Sequence, residues 1–418
     1  MKQMLVHVER DVVQTAVLTN GKLDEYYTEQ AADGQTVGSV YKGRVVNVLP
    51  GMEAAFVDIG QGKNAFLHID DLLHPNLEQK PREKPPISKV VRPGQDILVQ
   101  IVKEPIGGKG ARVTTHYSLP GRWLVYMPYA DYVGVSKKIP TEGERARLRQ
   151  AGESVRQAEE GIILRTAAAG ESTNSLARDV AALRGQWAGI LEQAEKAEVP
   201  AIVHREAGLV QRVVRDILDA ETDEIWIDDS RAYEEVLTYV RSMAPAMESR
   251  LLAYSETEKL PLFEKFGVSS ELDKAFGARI RLTSGGELVW DQTEALTVID
   301  VNTSRYTGSK DLEETVFNTN MEAAAEVARL LRLRDAGGII IIDFIDMESV
   351  EHRQQVMGTL EALVRKDRTK CHVVGWTKLG LLEMTRKKVR GRSSGKHLEP
   401  CAACKGRGTL YVNRPSQD

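Results

Sequence analysis

The sequence predicts a multidomain chain of β and α/β character, with a small β-barrel near the N-terminus, a helical middle and an α/β unit beyond it. Three observations carry this. Between Gly38 and about Thr115, short apolar runs alternate with turn residues and read as strands of an all-β barrel. Helical periodicity dominates from Thr141 to about Ala220. From Leu296 to Phe344 the order is strand, helix, strand. At 418 residues the chain exceeds one ordinary core, so roughly two to four domains are expected.

Two strand-like runs, Met4 to Val8 and Val12 to Leu18, open the chain and are too few for a domain, so they are expected to join a later segment. In the barrel, Val40-Tyr41-Lys42-Gly43-Arg44-Val45 leads to Glu53–Gly60 and then Asn64–His68. A proline-rich, charged insert from Lys80 to Pro93 precedes the strand Ile97–Val102, and this order reads as an OB-fold barrel. Ser172-Thr173 can cap the long amphipathic segment Asn174–Ala197. Glu224–Asp228 reads as a strand and Ser230–Met243 as a helix. The α/β unit opens on a hairpin, with Thr283-Ser284-Gly285-Gly286-Glu287 joining strands at 278–282 and 288–290. The strand Leu296–Val301, the helix Asp311–Leu333, the break at Gly337-Gly338 and a buried strand Ile339–Phe344 follow.

Composition narrows the class. Hydrophobic residues make up 42% and charged residues 28%, a globular balance rather than a disordered or fibrous one. No run of about 18 apolar residues occurs, so no membrane-spanning helix is expected. The opening Met1-Lys2-Gln3-Met4 has no signal-peptide core, and three cysteines cannot form a disulfide framework; a cytoplasmic protein is the expectation. The net charge of -4 gives no global sign of a nucleic-acid partner, yet from Arg365 to Lys396 eleven Lys or Arg stand against two acids, Asp367 and Glu383. That stripe is either a phosphate-binding surface or a solvated helical face. No G-x-x-x-x-G-K-[ST] phosphate loop is present, and none of the eight histidines stands in a nucleophile–base arrangement.

The α/β unit carries the chemistry. Strands joined by a helical crossover run parallel, so their carboxyl ends share one sheet edge. Asp300 follows Val298-Ile299 and Asp343 follows Ile339 to Ile342, which brings both carboxylates to the edge where open α/β sheets bind ligands. Asn302, two residues past Asp300, shares its strand face. Two acids and an amide suit Mg²⁺ held with waters and a substrate phosphate. The alternative is that one Asp caps a turn and the other is an ordinary surface residue. Asp346 is a rival ligand, but three positions past Asp343 it is expected to face the other way.

These residues sit in longer words. Ala295-Leu296-Thr297-Val298-Ile299-Asp300-Val301-Asn302, Glu313-Glu314-Thr315, Asn318-Thr319-Asn320, Leu331–Asp335 and Ile342–Met347 together resemble the catalytic stretch of the bacterial RNase E/G family, and the similarity extends over nearly the whole chain. The resemblance implies an Mg²⁺-dependent endoribonuclease that cuts single-stranded RNA precursors and messages into products with a 5′-monophosphate and a 3′-hydroxyl. It implies Asp300 and Asp343 as Mg²⁺ ligands and Asn302 as a partner of Asp300 or of the scissile phosphate. It also implies a domain plan: an RNase H-like domain split between 1–35 and 213–276, an OB-fold RNA-binding domain at 36–117 inserted in it, a helical 5′-sensor domain at 118–212, a DNase I-like catalytic domain at 277–397, and a zinc link at 398–412.

On the barrel, Phe56 and Phe66 fall on facing strands, and Lys109 stands in the Gly107–Gly110 loop, equipment for stacking bases and tracking a backbone. The plainer placement puts both rings in the barrel core. The resemblance assigns all three residues to an RNA-contacting face. It also matches Gly161–Ala167 to a 5′-end pocket, where Arg165 offers a bidentate guanidinium and Thr166 a hydroxyl to a terminal monophosphate, with Gly121 and Val125 on the other wall. Ala168-Ala169 departs from the family's usual wording, and by itself an Arg-Thr pair reads as a structural ion pair.

Cys401-Ala402-Ala403-Cys404, followed by Lys405-Gly406, favours zinc over a redox pair. Cys371 reads as a core residue, and no second C-x₂-C is present. Two chains sharing a Cys₄ site, or His397 added within one chain, would complete the zinc. The resemblance implies the shared site, and hence a homodimer; with the chain ending fourteen residues past Cys404, tetramers and further decay partners stay open. Two other functions compete. A non-catalytic RNA-binding protein is opposed by the intact Asp300, Asn302 and Asp343, and a metal-dependent DNA nuclease by the barrel and the 5′ pocket.

Overall fold

The computed structural model describes residues 1–10, 12–30, 37–73, 84–105, 109–218, 221–243, 245–255, 258–293, 295–303 and 312–387. The chain divides into two compact units, one of Val6–Thr15 with Glu29–Ser255, the other of Met1–Leu5 and Ala16–Thr28 with Glu256–Asp418. It opens on a meander, β1 (Lys2–Glu9), β2 (Val12–Thr19) and β3 (Lys22–Gln30).

The barrel follows, with β4 (Val40–Leu49), β5 (Ala54–Asp58), β6 (Ala65–His68), the one-turn helix α1 (Ile87–Val90), β7 (Asp96–Lys103) and β8 (Arg112–Thr114). The order β4-β5-β6-β8-β7, with β7 pairing back onto β4, closes five strands. Alternation fills the inside with Val45, Ala55, Val57, Leu67, Val99 and Val113.

Next come β9 (Leu119–Pro120), β10 (Leu124–Pro128), β11 (Tyr132–Val135), α2 (Glu142–Val155), β12 (Glu160–Leu164), α3 (Thr173–Lys196), β13 (Ala201–His204) and α4 (Leu209–Ile217). The stretch expected to be helical therefore also holds two strands. The continuous apolar run Gly161-Ile162-Ile163-Leu164 is buried as a central strand between β10 and β11. Ser172 caps α3 as its spacing predicts, accepting the Ser175 amide. Leu124, Ile162, Leu176, Val180 and Trp187 form one core beneath that sheet. Helix α4 runs across residues 212 and 213, where the family resemblance implies a domain boundary.

Then β14 (Glu224–Ile227), α5 (Ser230–Met243) and β15 (Leu251–Ala253) follow, and the sheet order is β15-β14-β1-β2-β3. Beyond β14, Asp228 accepts the Val8 amide at 3.0 Å.

The second unit contains α6 (Leu262–Lys265), α7 (Val268–Phe276), β16 (Arg279–Arg281), β17 (Glu287–Gln292), β18 (Leu296–Asn302), α8 (Leu312–Leu333), β19 (Gly338–Asp343), α9 (Val350–Val364), β20 (Cys371–Trp376) and β21 (Leu382–Arg386). The sheet order is β16-β17-β18-β19-β21-β20, and β18–β19 is a parallel pair among antiparallel ones. The strand expected to be buried throughout is one-sided. Ile340 and Ile342 are fully buried, whereas Ile339 is 50% exposed, so among the described residues one face of the strand is less covered than the other. Cys371 also differs from expectation. It starts an edge strand, half-buried, with its Sγ near Asp367 Oδ2 and the Thr369 carbonyl.

Candidate active site and RNA-contact surfaces

The register of β18 and β19 sets Asp300 beside Asp343. Thr297, Ile299 and Val301 of β18 are buried, as are Ile340 and Ile342 of β19. A period of two then turns Asp300, Asn302 and Asp343 to the opposite face. Asn302 Nδ2 donates to Asp300 Oδ2 at 2.7 Å, which fixes one carboxylate and makes the first of the two partners expected for Asn302. Burial raises the Asp343 pKa above the ordinary carboxylate range, and the charges of Asp300 and Asp346 raise it further. β19 ends at Asp343, so strand alternation does not decide where Asp346 faces, and the charge of Asp346 is felt at Asp343.

Helix α8 organises the loop that follows Asp343. Asn320, fully buried, donates to the Ile345 carbonyl at 2.8 Å and accepts the Ile345 amide at 3.1 Å. Glu313 accepts the amides of Glu348 and Ser349 and meets His352 Nδ1 at 2.7 Å. On the other side, a Cβ at Gly286 would lie 2.9 Å from Thr319 Cγ2 and 3.1 Å from the Asn302 carbonyl, so the hairpin closes against the end of β18 only with glycine there. Sequence reasoning met Glu313 and Asn320 only as family words; a polar residue on the buried stripe of α8 is the signal that could have exposed Asn320.

Among the described residues, no group of three or more His, Cys, Asp or Glu side chains is assembled to hold a metal. An ion at this edge would rest on Asp300 and Asp343 and complete its shell with water and phosphate oxygens. That donor set fits Mg²⁺, and a cation would relieve the repulsion that raises Asp343.

On the barrel, Phe56 and Phe66 are a cross-strand pair with ring centroids 5.9 Å apart, edge to face. Neither is in the core, which alternation fills from the other side with Ala55, Val57, Ala65 and Leu67. His68 extends the aromatic row, 6.4 Å beyond Phe66. Lys109 is exposed, and a Cβ at the neighbouring Gly110 would lie 2.0 Å from the Asn64 carbonyl, so Gly110 is seated tightly against the residue that precedes β6.

The residues expected at the 5′ end do come together. Arg165 Nη1 donates to the Gly121 carbonyl at 2.7 Å. Thr166 is exposed, with its Oγ1 2.9 Å from Ser136 Oγ. Val125 is half-buried and pairs with Ile163 on β12. Arg165 also forms an ion pair with Asp216 at 2.7 Å, so the plainer reading of this arginine is realised as well. Sequence reasoning missed what shapes the turn. Asp179 of α3, 1% exposed, accepts the amides of Arg122, Trp123 and Leu124 at 3.3, 2.7 and 3.3 Å. Arg122 in turn donates to the Val214 and Arg215 carbonyls at the end of α4.

Among its described residues the basic stripe is not one surface. Arg386 is buried, paired with Asp335 and Asp367, and Arg368 pairs with Glu25. Residues 388–396, with His397, Cys401 and Cys404, lie outside the described residues. Among the described residues, no helix is long and apolar enough to cross a membrane.

Residues 118–389 match the model of the Ribonuclease E/G family. The chain belongs to the ribonuclease E/G family. Residues 35–112 match the S1 RNA binding domain, which identifies the five-stranded barrel. The chain is 44% identical over 413 residues to Ribonuclease G of Escherichia coli (strain K12), covering 98% of this chain and 84% of that protein. It is 36% identical over 419 residues to Ribonuclease E of the same strain, covering 99% of this chain and 39% of that protein. Ribonuclease E of Nostoc sp. is 36% identical over 409 residues, with 97% and 58% covered. As an RNase E/G protein the chain is an endoribonuclease, and its S1 barrel is an RNA-binding domain.

Proposed function

We propose that this endoribonuclease cleaves single-stranded RNA at an Mg²⁺ ion held by Asp300 and Asp343, leaves a 5′-monophosphate and a 3′-hydroxyl, and reads the substrate's 5′-monophosphate through Arg165 and Thr166. The observation that carries the reading is the register pair Asp300–Asp343, on one face at the carboxyl edge of two parallel strands. When bound, Mg²⁺ would supply charge neutralisation at the scissile phosphate and an acidified attacking water. Asn302 holds Asp300 through its Nδ2 donor and so fixes one ligand before the ion arrives. Asn320 and Glu313 hold the loop after Asp343, which limits the movement of the second ligand. Phe56 and Phe66 offer stacking faces to bases, and Lys109 a charge to the backbone.

The domain plan belongs to the same reading. An RNase H-like part interrupted by the barrel agrees with β14 and β15 extending the opening meander, and the sheet from β16 to β20 would be the DNase I-like catalytic part. Cys401 and Cys404 would share one structural zinc between two chains, giving a dimer in the cytoplasm that acts in RNA processing and decay. Matched 5′-monophosphate and 5′-hydroxyl RNAs, incubated with and without Mg²⁺, test the reading. Cleavage that needs Mg²⁺ and is faster on the 5′-monophosphate substrate is expected. Cleavage that survives chelation removes the metal, and equal rates on the two substrates remove the 5′ sensor.

A further inference from the structure

Arg165 is anchored on two sides. Its Nη1 donates to the Gly121 carbonyl and its Nη2 meets Asp216 Oδ1, both at 2.7 Å. Asp216, in the last turn of α4, is gripped from its other side by Arg215, whose Nε and Nη2 donate to the two carboxylate oxygens at 3.1 Å each. Arg215 is fixed in turn by Glu206 Oε1 at 2.9 Å and by the Pro120 carbonyl at 3.2 Å. The chain of polar contacts therefore starts and ends on the same turn, Pro120-Gly121. Burial would raise the Asp216 carboxyl, but the hydrogen bonds and charge of Arg215, with those of Arg165, outweigh it and hold its pKa below the usual range.

This arrangement has a consequence for binding. An unanchored arginine loses rotamer freedom when it closes on a phosphate, whereas a guanidinium already fixed has lost that freedom in advance. The bonds to Gly121 and Asp216 use only part of the guanidinium's N–H set and leave the rest for phosphate oxygens. The Asp216 charge opposes a phosphate, and Arg215, which it shares with Glu206, offsets that charge in part.

We propose that Asp216 is the positioning residue for 5′-end recognition: it pins the Arg165 guanidinium beside Gly121 and thereby sets how strongly the site distinguishes a terminal phosphate from a terminal hydroxyl. The inference rests on the reading of Arg165 as the phosphate ligand. Its test uses the full chain and non-cleavable 2′-O-methyl oligonucleotides of one sequence, ending in a 5′-monophosphate or a 5′-hydroxyl. Kd is measured for both ends with the wild type, Arg165→Ala, Asp216→Asn and Asp216→Glu. Arg165→Ala should erase the phosphate preference. Asp216→Asn keeps an oxygen acceptor and loses the charge, so it should reduce that preference by about five- to tenfold, the difference between a charge-assisted and a neutral hydrogen bond. Asp216→Glu keeps the charge and moves it by one methylene, so it should give an intermediate value and supplies the answer if the asparagine variant does not fold. If Arg165→Ala erases the preference and both Asp216 variants keep it, Asp216 merely docks α4 and the positioning role is wrong. A stronger preference in Asp216→Asn would mean that the carboxylate competes with phosphate, which also overturns it. A preference that survives Arg165→Ala would instead remove the 5′-end reading itself.

Discussion

Gly121→Ala should be severely destabilising, but only while Asp179 is present. A Cβ at Gly121 would lie 2.6 Å from both Asp179 carboxylate oxygens and 2.8 Å from the carboxyl carbon. The carboxylate cannot swing aside without stranding the amides of Arg122, Trp123 and Leu124, which it accepts in the interior. Each stranded buried donor costs about 1–3 kcal/mol, and a backbone shift that made room for the methyl would cost a similar amount. The expected penalty for Gly121→Ala is therefore about 2–4 kcal/mol. Asp179→Ala should cost about the same and not the sum of three bonds, because burial already works against the carboxylate. That burial raises the Asp179 pKa in spite of the three amides. With Asp179 truncated the space is vacated, so adding Gly121→Ala should cost less than about 1 kcal/mol more, a coupling of roughly 2–3 kcal/mol. The four proteins of this cycle can be compared by urea unfolding, with hydrogen exchange over residues 119–128 to report the local opening. Additive penalties would refute the claim that Asp179 shapes the turn on which Arg165 rests.

Two further outcomes are expected. Phe56→Ala or Phe66→Ala should weaken binding of a single-stranded RNA oligonucleotide by about 1–3 kcal/mol, read by fluorescence anisotropy, because each ring is half-buried outside the core and open to a base; unchanged affinity would return the pair to a purely structural role. Native mass spectrometry should find about one zinc per two chains, lost together with the dimer on chelation or in Cys404→Ser but not on adding reductant; a zinc in each isolated monomer would eliminate the shared site.

How much of this was legible depends on how local each signal is. The crossover from β18 through α8 to β19 is written in apolar periodicity and in Gly337-Gly338, and the meeting of Asp300 with Asp343 follows from that topology alone. The half-open face was not legible, since Ile339 and Ile341 look as apolar as the buried Ile340 and Ile342. Nor was β12, whose five residues sit between two long helices and are recognised as a strand only by their partners in β10 and β11. Asp179 looks like any acid on an amphipathic helix; the amides that define its role lie 55 to 57 residues away. Asp216 is hidden in the same way. For Arg165 the residues alone suggested an ion pair and the family words suggested a phosphate, and the ion pair with Asp216 is present.

The central claim is that Asp300 and Asp343 act on one Mg²⁺, and the rate of RNA cleavage across an Mg²⁺ titration tests it most directly. Wild type, Asp300→Asn, Asp343→Asn and Asp346→Asn would be compared under single-turnover conditions, with circular dichroism and RNA binding as checks on the fold. Both Asp300→Asn and Asp343→Asn should abolish cleavage at every Mg²⁺ concentration while RNA binding persists. Asp346→Asn, whose charge reaches Asp343 from beyond the strand end, should be milder. Near-normal cleavage by Asp300→Asn or Asp343→Asn at saturating Mg²⁺ would contradict the account.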